Sequence, residues 1–443
     1  MIVADDHCPP IYPSQRAQPQ RKFHARSRTP PSFVVKFDVI VAGAGPGGAE
    51  AARAAARAGL RTLLAEEHPT VGVPSHCTGK LSHHAFDEFD IPRSLALNAV
   101  SAAVFHSPGG VAVRVRRATV DSYVVDRVTF DRWLVDRAAS AGAEVRTGMR
   151  ITAARRSGGG IVVTAHQRGR AFEAWCRLII DAEGAAPRLP PSLGLSVPRR
   201  HALGLQYQMR GVGGIEADTP ELFFGRTVAP GFFAWLMPVG GDRARVGLCV
   251  DATVTRRAPV RFLDRLIATH PGVAPRFANA VVEGKVAGRI PLMGPRGPVG
   301  TDGMIIVGDA AGQVKATSGG GIYYAMIAGR IAGEVAPRYV GGERAAVAEY
   351  NRRWRKRFGL EVAFTAFGRR AINHLSDADL DTVLRMIAES PQLRESVERA
   401  GDTQFQSRLF LPLLRGLGAA GLRRPGLIPL VSKALLHGML TQV

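Results

Sequence analysis

The sequence predicts an α/β protein made of a Rossmann-type dinucleotide-binding domain, an antiparallel β-sheet domain and a C-terminal helical region. Three observations support this fold class. An apolar run rich in β-branched residues, a glycine turn and an alanine-rich segment follow one another at 37–59. Short strand-like stretches broken by glycine and proline lie at 201–250, and apolar stripes at helical spacing follow residue 341.

The composition is that of a globular enzyme. The chain has 443 residues, 46% hydrophobic and 21% charged, which is enough for two or three lobes around a large core. The sequence contains no run of about 18 uncharged apolar residues, so we predict no transmembrane helix. The four cysteines lack C-x-x-C spacing, which favours a reduced cytoplasmic chain without a disulfide framework. No metal site is predicted, because no nearby acid or cysteine completes a ligand set with His76, His83 and His84.

The formal net charge is +21, mostly from arginine. Such an excess indicates attraction to nucleic acid, anionic lipid or acidic ligands, but the basic residues are dispersed and an Arg- and Ala-rich chain also fits a GC-rich coding background. We therefore predict no specific nucleic-acid partner. Residues 1–36 lack the apolar core of a secretory signal and are interpreted as a mobile basic tail, with a transit peptide or an overextended start codon as alternatives.

The first sign of dinucleotide binding is a strand, a glycine turn and a helix in immediate succession. Residues 37–42, FDVIVA, predict the strand, and GAGPGG follows directly before AEAARAAARAGL. Gly43 permits the tight turn, Gly45 lets a pyrophosphate approach the backbone, and Gly48 lets the helix pack on the strand. The free amides and the helix dipole would face the phosphates. Glu66 ends the next predicted strand, RTLLAEE, where an acid can bind a ribose hydroxyl.

Two later strand ends indicate an extended dinucleotide. CRLIIDAEG ends in an acid-glycine turn, which makes Asp181 and Glu183 secondary candidates for cofactor contact. GMIIVGDAAG ends in Gly308 and Asp309, and a glycine-rich turn then opens a helix. Asp309 would accept hydrogen bonds from ribityl or ribose hydroxyls, with a helix-capping acid as the alternative. The backbone amides that would meet the flavin edge or the pyrophosphate are those of Gly319, Gly320, Gly321 and Ile322.

From about residue 37 to the C-terminal helices, these motifs resemble those of the geranylgeranyl reductase family, within the FAD-dependent oxidoreductases related to aromatic hydroxylases. GAGPGG with Glu66 and the adjacent Glu67 resembles the family's ADP-binding motif. DRVTFDRWLVDRAASAGAEV resembles its Arg-x-x-Phe-Asp helix, which implies that Arg127 touches the FAD. GDAAGQVKATSGGGIYYAMIAGRIAGE resembles its second FAD motif, and the GGGIYY stretch favours reductases over hydroxylases.

Two further stretches resemble family segments near the substrate. GFFAWLMPVGGDRARVGL is similar to a Tyr-x-Trp-x-Phe-Pro motif that lines the substrate cavity. VPSHCTG is similar to a cysteine-containing loop near the flavin, which implies that Cys77 is catalytic. The implied substrate-binding residues are Phe233, Trp235, Met237 and Pro238.

The sequence departs from the family pattern at several of these positions. Phe233 and Met237 stand where the family usually has Tyr and Phe, so a tyrosine hydroxyl is lost here. Glu183 lies in DAEG rather than Ala-Asp-Gly, and Ala316 replaces a frequent proline. These departures bear more on the choice among family members than on the family itself.

The resemblance implies an FAD-dependent reductase that saturates C=C bonds of a geranylgeranyl or other polyprenyl chain on a lipid, quinone or chlorophyll-type carrier. An isolated trisubstituted alkene is a poor hydride acceptor, so the reaction needs a flavin hydride and a proton together. The electron donor is left open between NADPH, NADH and ferredoxin, because no separate nicotinamide motif is visible. The oligomeric state is also left open.

Cys77 is the candidate proton donor. An unperturbed thiol with a pKa of about 8.5 is mostly protonated at neutral pH, and His76 and Thr78 flank this one. By chemistry alone a lone cysteine is more often a small buried hydrophobe. The resemblance favours a place near the flavin, with a bound water as the alternative immediate donor.

Aromatic residues between 201 and 250 suit an apolar ligand. HALGLQYQMRG, ELFFG, FFAWLMP and ARVGLCV predict short antiparallel strands that would cover one side of the flavin. This lining suits a prenyl chain, although about half of its members are expected to be core. The residues concerned are Phe223, Phe224, Phe232, Phe233, Trp235 and Met237.

The segment after residue 341 combines apolar stripes with many arginines, and Pro412, Pro425 and Pro429 interrupt its last part. It fits either a helical cap on the core or a basic surface that contacts an anionic bilayer. The predicted location is therefore cytoplasmic, with peripheral membrane contact as an open alternative.

The predicted domains are interleaved along the chain. Two other functions compete with alkene reduction: a flavin-dependent aromatic monooxygenase or halogenase of the same fold, and a basic nucleic-acid or membrane-binding protein with a degenerate flavin fold. The predicted boundaries are a basic tail at 1–36, an FAD-binding domain at 37–80, 122–190 and 286–340, a substrate-binding domain at 81–121 and 191–285, and a C-terminal helical region at 341–443.

Overall fold

A computed structural model describes residues 35–295 and 297–409. Most of the predicted basic tail, and the last part of the C-terminal region with Pro412, Pro425 and Pro429, lie outside the described residues. Within the described residues the chain forms three sheets flanked by helices, which is an α/β architecture.

The strands and helices are numbered in chain order. The strands are β1 Val35–Ala42, β2 Thr62–Ala65, β3 Lys80–Ser82, β4 Ala96–Val100, β5 Ala102–His106, β6 Ala112–Arg116, β7 Ser122–Val125, β8 Glu144–Arg146, β9 Met149–Ser157, β10 Gly160–Gln167, β11 Arg170–Asp181, β12 His201–Arg210, β13 Glu221–Phe223, β14 Ala234–Gly240, β15 Arg243–Asp251, β16 Val281–Pro291, β17 Gly300–Thr301 and β18 Met304–Ile306. The helices are α1 Pro46–Arg57, α2 His83–Glu88, α3 Arg127–Ser140, α4 Pro259–Thr269, α5 Ile322–Val340, α6 Ala346–His374, α7 Asp377–Glu389 and α8 Pro391–Ala400.

The largest sheet follows the order β17-β18-β11-β1-β2-β8, and the β9–β10 hairpin joins it through β11. Strand β1 pairs in parallel with β2 and β11, and β11 pairs in parallel with β18. The carboxyl ends of parallel strands share one edge of a sheet, which is where ligands bind in open α/β folds. The glycine turn, Glu66, Asp181 and Asp309 therefore lie along one edge.

Helices α1 and α5 cross this sheet in very close contact. A Cβ atom added at Gly329 would lie 2.0 Å from the Gly47 carbonyl oxygen, and one added at Gly333 would lie 2.5 Å from that of Ala51. The crossing thus depends on the missing side chains of α5. It holds the glycine-rich turn before α5 next to the turn before α1.

The second sheet follows the order β16-β12-β15-β14-β13-β5-β6 and is antiparallel except between β13 and β5. Side chains alternate across it. One face, including Tyr207 and Leu236, packs on Leu263 of α4 in a separate apolar core. The other face carries Gln206 and Trp235, which hydrogen-bond each other.

A third, small sheet of order β3-β7-β4 adjoins the second sheet. Val100 of β4 and Val124 of β7 pack on Met237 of β14 in a small apolar cluster. Because β3 follows the Cys77 loop directly, this packing fixes where the loop ends.

The predicted domain boundaries stay a prediction. Strand β16 runs across the boundary placed between 285 and 286, because one edge strand completes the second sheet before the chain returns to the first. The predicted C-terminal region is helical as far as it is described, through α6, α7 and α8. Among the helices within 35–295 and 297–409, none combines the length and the apolar character needed to cross a bilayer.

Candidate active site

The turn between β1 and α1 is shaped for a phosphate group. Gly43 has φ +101°, and a Cβ there would lie 2.3 Å from the Ala182 carbonyl oxygen. A Cβ at Gly48 would lie 1.9 Å from the Gly43 carbonyl oxygen, whereas one at Gly45 would meet nothing within 4 Å. Helix α1 has neither a capping side chain nor an acid in its first turn. Its N-terminal amides and positive dipole end therefore face an open, uncapped space that suits an anion.

Glu66 is held against this turn. Its Oε2 accepts a hydrogen bond from the Ala44 amide at 2.9 Å, and its Oε1 accepts one from the His68 amide at 3.0 Å. The carboxylate is thus oriented at the end of β2. Glu67 differs, because its side chain is about half exposed and pairs with Arg150 at 3.2 Å.

Asp309 and the turn before α5 meet the same edge. A Cβ at Gly321 would lie 2.9 Å from Asp309 Oδ1, so the carboxylate and the turn are in contact. A Cβ at Gly319 would lie 2.7 Å from Cδ1 of Ile290, on β16 of the second sheet. This turn, formed by Gly319, Gly320, Gly321 and Ile322, therefore lies between the carboxyl edge of the first sheet and one face of the second. That face carries Gln206 and Trp235 and is called the open face below.

Burial raises the pKa of Asp309 to about 6, with the positive charge of Arg127 opposing the rise. Asp309 is predicted to accept hydrogen bonds from ribityl hydroxyls, which an ionised carboxylate does best, so we predict that FAD binding releases the proton. We expect FAD affinity to increase about tenfold per pH unit up to about pH 6 and to level off above it. Titration of apoprotein with FAD from pH 5 to 8 measures this. Asp309→Asn should flatten the profile, and affinity that falls with rising pH in the native protein would contradict it.

Cys77 lies in a tight loop beside two guanidinium groups. Its sulfur accepts a hydrogen bond from the Gly79 amide at 3.3 Å. Arg127 and Arg245 both lie close enough to the thiol to interact with it electrostatically. Arg245 is buried and also donates to the Thr78 carbonyl at 2.6 Å, which fastens the loop to β15.

Arg127 begins α3, as its motif predicts, and its position is fixed by Asp131. Its Nε and Nη2 donate to the two carboxylate oxygens at 2.9 and 2.7 Å. The guanidinium held by this bidentate pair contacts Cys77, and its positive charge also acts on Asp309. Three predicted site residues from separate parts of the chain therefore interact electrostatically.

Gln206 links the cysteine loop to Trp235. Its Oε1 accepts hydrogen bonds from the Thr78 hydroxyl at 3.1 Å and from the indole Nε1 of Trp235 at 3.2 Å. The indole lies across Gly247, where a Cβ would come within 2.6 Å of its Cζ2. Sequence reasoning missed Gln206 and Arg245. The signal in the sequence is that each is a polar residue between two apolar ones in a predicted strand, Gln206 in LQY and Arg245 in ARV.

Phe233 and Trp235 line the open face of the second sheet. Both are partly buried, and Phe233 stacks on Phe232 with ring centroids 4.8 Å apart. Met237 and Pro238 are buried further along β14, where Met237 belongs to the cluster with β4 and β7. The assignment of these four residues to substrate binding stays a prediction.

The secondary candidates Asp181, at the end of β11, and Glu183, in the turn after it, make hydrogen bonds within that turn and the loop that follows. Asp181 is fully buried and accepts from the Glu183 amide at 3.1 Å, and burial raises the pKa of its carboxyl group. Glu183 accepts from the amides of Arg188 and Leu189 at 2.7 and 3.0 Å. Within the described ranges, no three His, Cys, Asp or Glu side chains are grouped closely enough for a metal ion.

Comparison with known proteins gives two family matches on separate parts of the chain. Residues 38–187 match the family described as FAD dependent oxidoreductase, and residues 201–288 match the geranylgeranyl reductase catalytic domain. The chain is 33% identical over 364 residues to digeranylgeranylglycerophospholipid reductase of Methanocaldococcus jannaschii, covering 80% of this chain and 91% of that protein. It is 32% identical over 374 residues to digeranylgeranylglycerophospholipid reductase 2 of Methanopyrus kandleri, covering 81% and 92%.

Solved structures share the fold. A geranylgeranyl bacteriochlorophyll reductase-like protein from Thermoplasma acidophilum is 24% identical, with a TM-score of 0.78 over 90% of this chain and 100% of that chain. A flavin-dependent brominase is 16% identical, with a TM-score of 0.65 over 88% and 100% of the two chains. These likenesses confirm the predicted fold class.

Proposed function

Because the chain belongs to the geranylgeranyl reductase family of FAD-dependent oxidoreductases, as its motifs predicted, we propose that it saturates the C=C bonds of geranylgeranyl chains carried by a glycerophospholipid. The choice of carrier rests on relatives about one-third identical over nine-tenths of their length, which are named for that lipid class. Quinones and chlorophyll-type pigments are the alternative carriers.

FAD is the cofactor, and the residues of the edge fit it. We assign the pyrophosphate to the turn at Gly45, whose space is open, and the adenosine ribose to Glu66. Asp309 would hold the ribityl hydroxyls, and the turn from Gly319 to Ile322 would hold the ring. When bound and reduced, FAD supplies the hydride.

The observation that carries the proposal is the meeting of Cys77, two guanidinium groups and an apolar aromatic face. Cys77 would donate the proton that an isolated alkene needs, and Arg127 and Arg245 would stabilise the thiolate left behind. Burial lowers the pKa of His76, so its imidazole is mostly neutral at pH 7 and is a poor acid. The thiol is therefore the better donor in this loop.

The second sheet would hold the prenyl chain and exclude water. Phe233 and Trp235 offer apolar area, and the Gln206 hydrogen bond fixes the indole orientation. Phenols and carboxylates need polar anchors on this face. Gln206 and Arg245 of this face are already hydrogen-bonded to the cysteine loop and to Trp235, which favours an alkene over an aromatic substrate.

We also propose that a lipid substrate reaches the enzyme at an anionic membrane surface through α6. On this helix the side chain of Leu360 is 79% exposed, and Arg352 and Lys356 precede it at helical spacing on the same face. Flotation with vesicles of anionic lipid, at low and high salt, tests this. Leu360→Glu should reduce binding, whereas no binding by the native protein at any salt would overturn the idea.

Anaerobic stopped-flow spectroscopy tests the function itself. Reduced holoenzyme mixed with digeranylgeranyl phospholipid should regain oxidised flavin absorbance, whereas the fully saturated lipid should leave it reduced. A monooxygenase or halogenase would instead need oxygen and an aromatic substrate. Flavin oxidation that occurs only under those conditions would favour that alternative.

A further inference from the structure

Arg369 is a buried guanidinium between two segments of the site. One is the stretch leading into the turn from Gly319 to Ile322, called the flavin turn below, and the other is the aromatic face formed by Phe232, Phe233 and Trp235. The side chain of Arg369 is 3% exposed. It donates from Nε to the Ala316 carbonyl at 2.9 Å and from Nη2 to the Thr317 carbonyl at 2.8 Å. Its Nη1 donates to the carbonyl of Gly231, the residue directly before Phe232 of the aromatic face. One side chain of α6 therefore holds both segments.

The hydrogen-bond partners of Arg369 are backbone carbonyls rather than acids. Asp251 attracts it electrostatically, but that carboxylate accepts hydrogen bonds from Thr253 at 2.8 Å and from Asn373 at 3.4 Å. Burial lowers the pKa of Arg369 to about 10, so it remains charged at neutral pH. A buried charge without a carboxylate in contact costs stability, and its three carbonyl partners and the ring of Phe232 offset part of that cost.

The guanidinium also orients the aromatic face. It stacks on Phe232 at 3.9 Å from the ring centroid. On the other side, Phe232 stacks on Phe233, and Phe233 meets Trp235 edge-on with centroids 6.1 Å apart. A Cβ at Gly319 would lie 3.5 Å from Cζ of Phe232, so the same ring borders the flavin turn.

We propose that Arg369 is a positioning residue that fixes the aromatic face at a set distance from the flavin turn and so aligns the alkene for hydride transfer. It acts through Phe232 and through the carbonyls of Ala316 and Thr317. This inference rests on the proposed alkene reduction. Small displacements of reacting groups are costly, about 100-fold in rate for 1 Å.

The test compares Arg369→Met, Arg369→Lys and native holoenzyme. Visible circular dichroism of bound FAD reports the fixed orientation of the ring and needs no lipid. We expect Arg369→Met to bind FAD stoichiometrically with an altered flavin signal. Its anaerobic single-turnover rate with digeranylgeranyl phospholipid should fall about 30- to 100-fold, while the lipid Kd changes less than about threefold. Arg369→Lys keeps the charge and should restore part of the rate.

Arg353→Met is the matched control, because Arg353 is on the same helix but pairs at the surface with Glu334. It should match the native protein in both measurements. A native flavin signal and rate in Arg369→Met would overturn the inference, as would a rate that falls only in proportion to lost FAD. If native enzyme fails to reduce the lipid but Arg369→Met still alters the flavin signal, the proposed function fails and the positioning role stands.

Discussion

Replacing Cys77 with alanine should lower the single-turnover rate of alkene reduction at least about 100-fold while FAD remains bound. The sulfur accepts a hydrogen bond from the Gly79 amide and interacts with Arg127, and the loop without this thiol remains anchored by Arg245 and Gln206. The effect should therefore fall on proton delivery and not on the cofactor. Stopped-flow oxidation of pre-reduced enzyme by the lipid measures it.

Cys176 provides the control for this experiment. It is a fully buried thiol on β11 in the apolar core around the first sheet. Cys176→Ala should cost some stability by leaving a small cavity but should change the rate only a few-fold. An undiminished rate in Cys77→Ala would remove the thiol from the mechanism and leave a bound water as the proton donor.

Alanine substitutions at Gly48 and Gly45, in the turn between β1 and α1, should have different effects on folding and on FAD binding. Gly48→Ala places a Cβ 1.9 Å from the Gly43 carbonyl oxygen, so it should lower the Tm of the apoprotein and abolish FAD binding. Gly45 is extended and has no neighbour within 4 Å of an added Cβ. Gly45→Ala should therefore leave the apoprotein Tm unchanged and weaken FAD on the order of 100-fold, because the methyl group occupies the space of the pyrophosphate.

Thermal unfolding of the apoproteins and fluorescence titration with FAD distinguish these effects. The contrast between the two variants is the informative quantity. Equal losses of Tm in both would mean that Gly45 is needed for folding. Native FAD affinity in Gly45→Ala would place the pyrophosphate elsewhere.

The cofactor edge was predictable because its determinants are local. The order of strand, glycine turn and helix specifies β1 and α1 within about 25 residues; Glu66 directly follows β2, and Asp309 lies just beyond the end of β18. Parallel pairing then brings these strand ends together without further information. The motif at Arg127 likewise coincides with the first residue of α3.

The contacts that hold the Cys77 loop and the aromatic face in place could not be predicted, because each joins residues that are far apart in the sequence. Gln206 and Thr78 are 128 positions apart, and Arg245 and Thr78 are 167 apart. Arg369 and Gly231, which hydrogen-bond each other, are 138 positions apart in the sequence. The sequence around Arg369 predicts only a basic helix. Periodicity predicts which face of an element is apolar, but not which distant loop packs on it.

The most direct test of the account is mass spectrometry of the lipid product. Dithionite-reduced holoenzyme is incubated without oxygen with digeranylgeranyl phospholipid, a prenylated quinone and a prenylated pigment. We expect a gain of two hydrogens for each bond reduced, with the phospholipid consumed fastest and Cys77→Ala nearly inactive. Unchanged masses for all three substrates, with FAD bound and reduced, would contradict it.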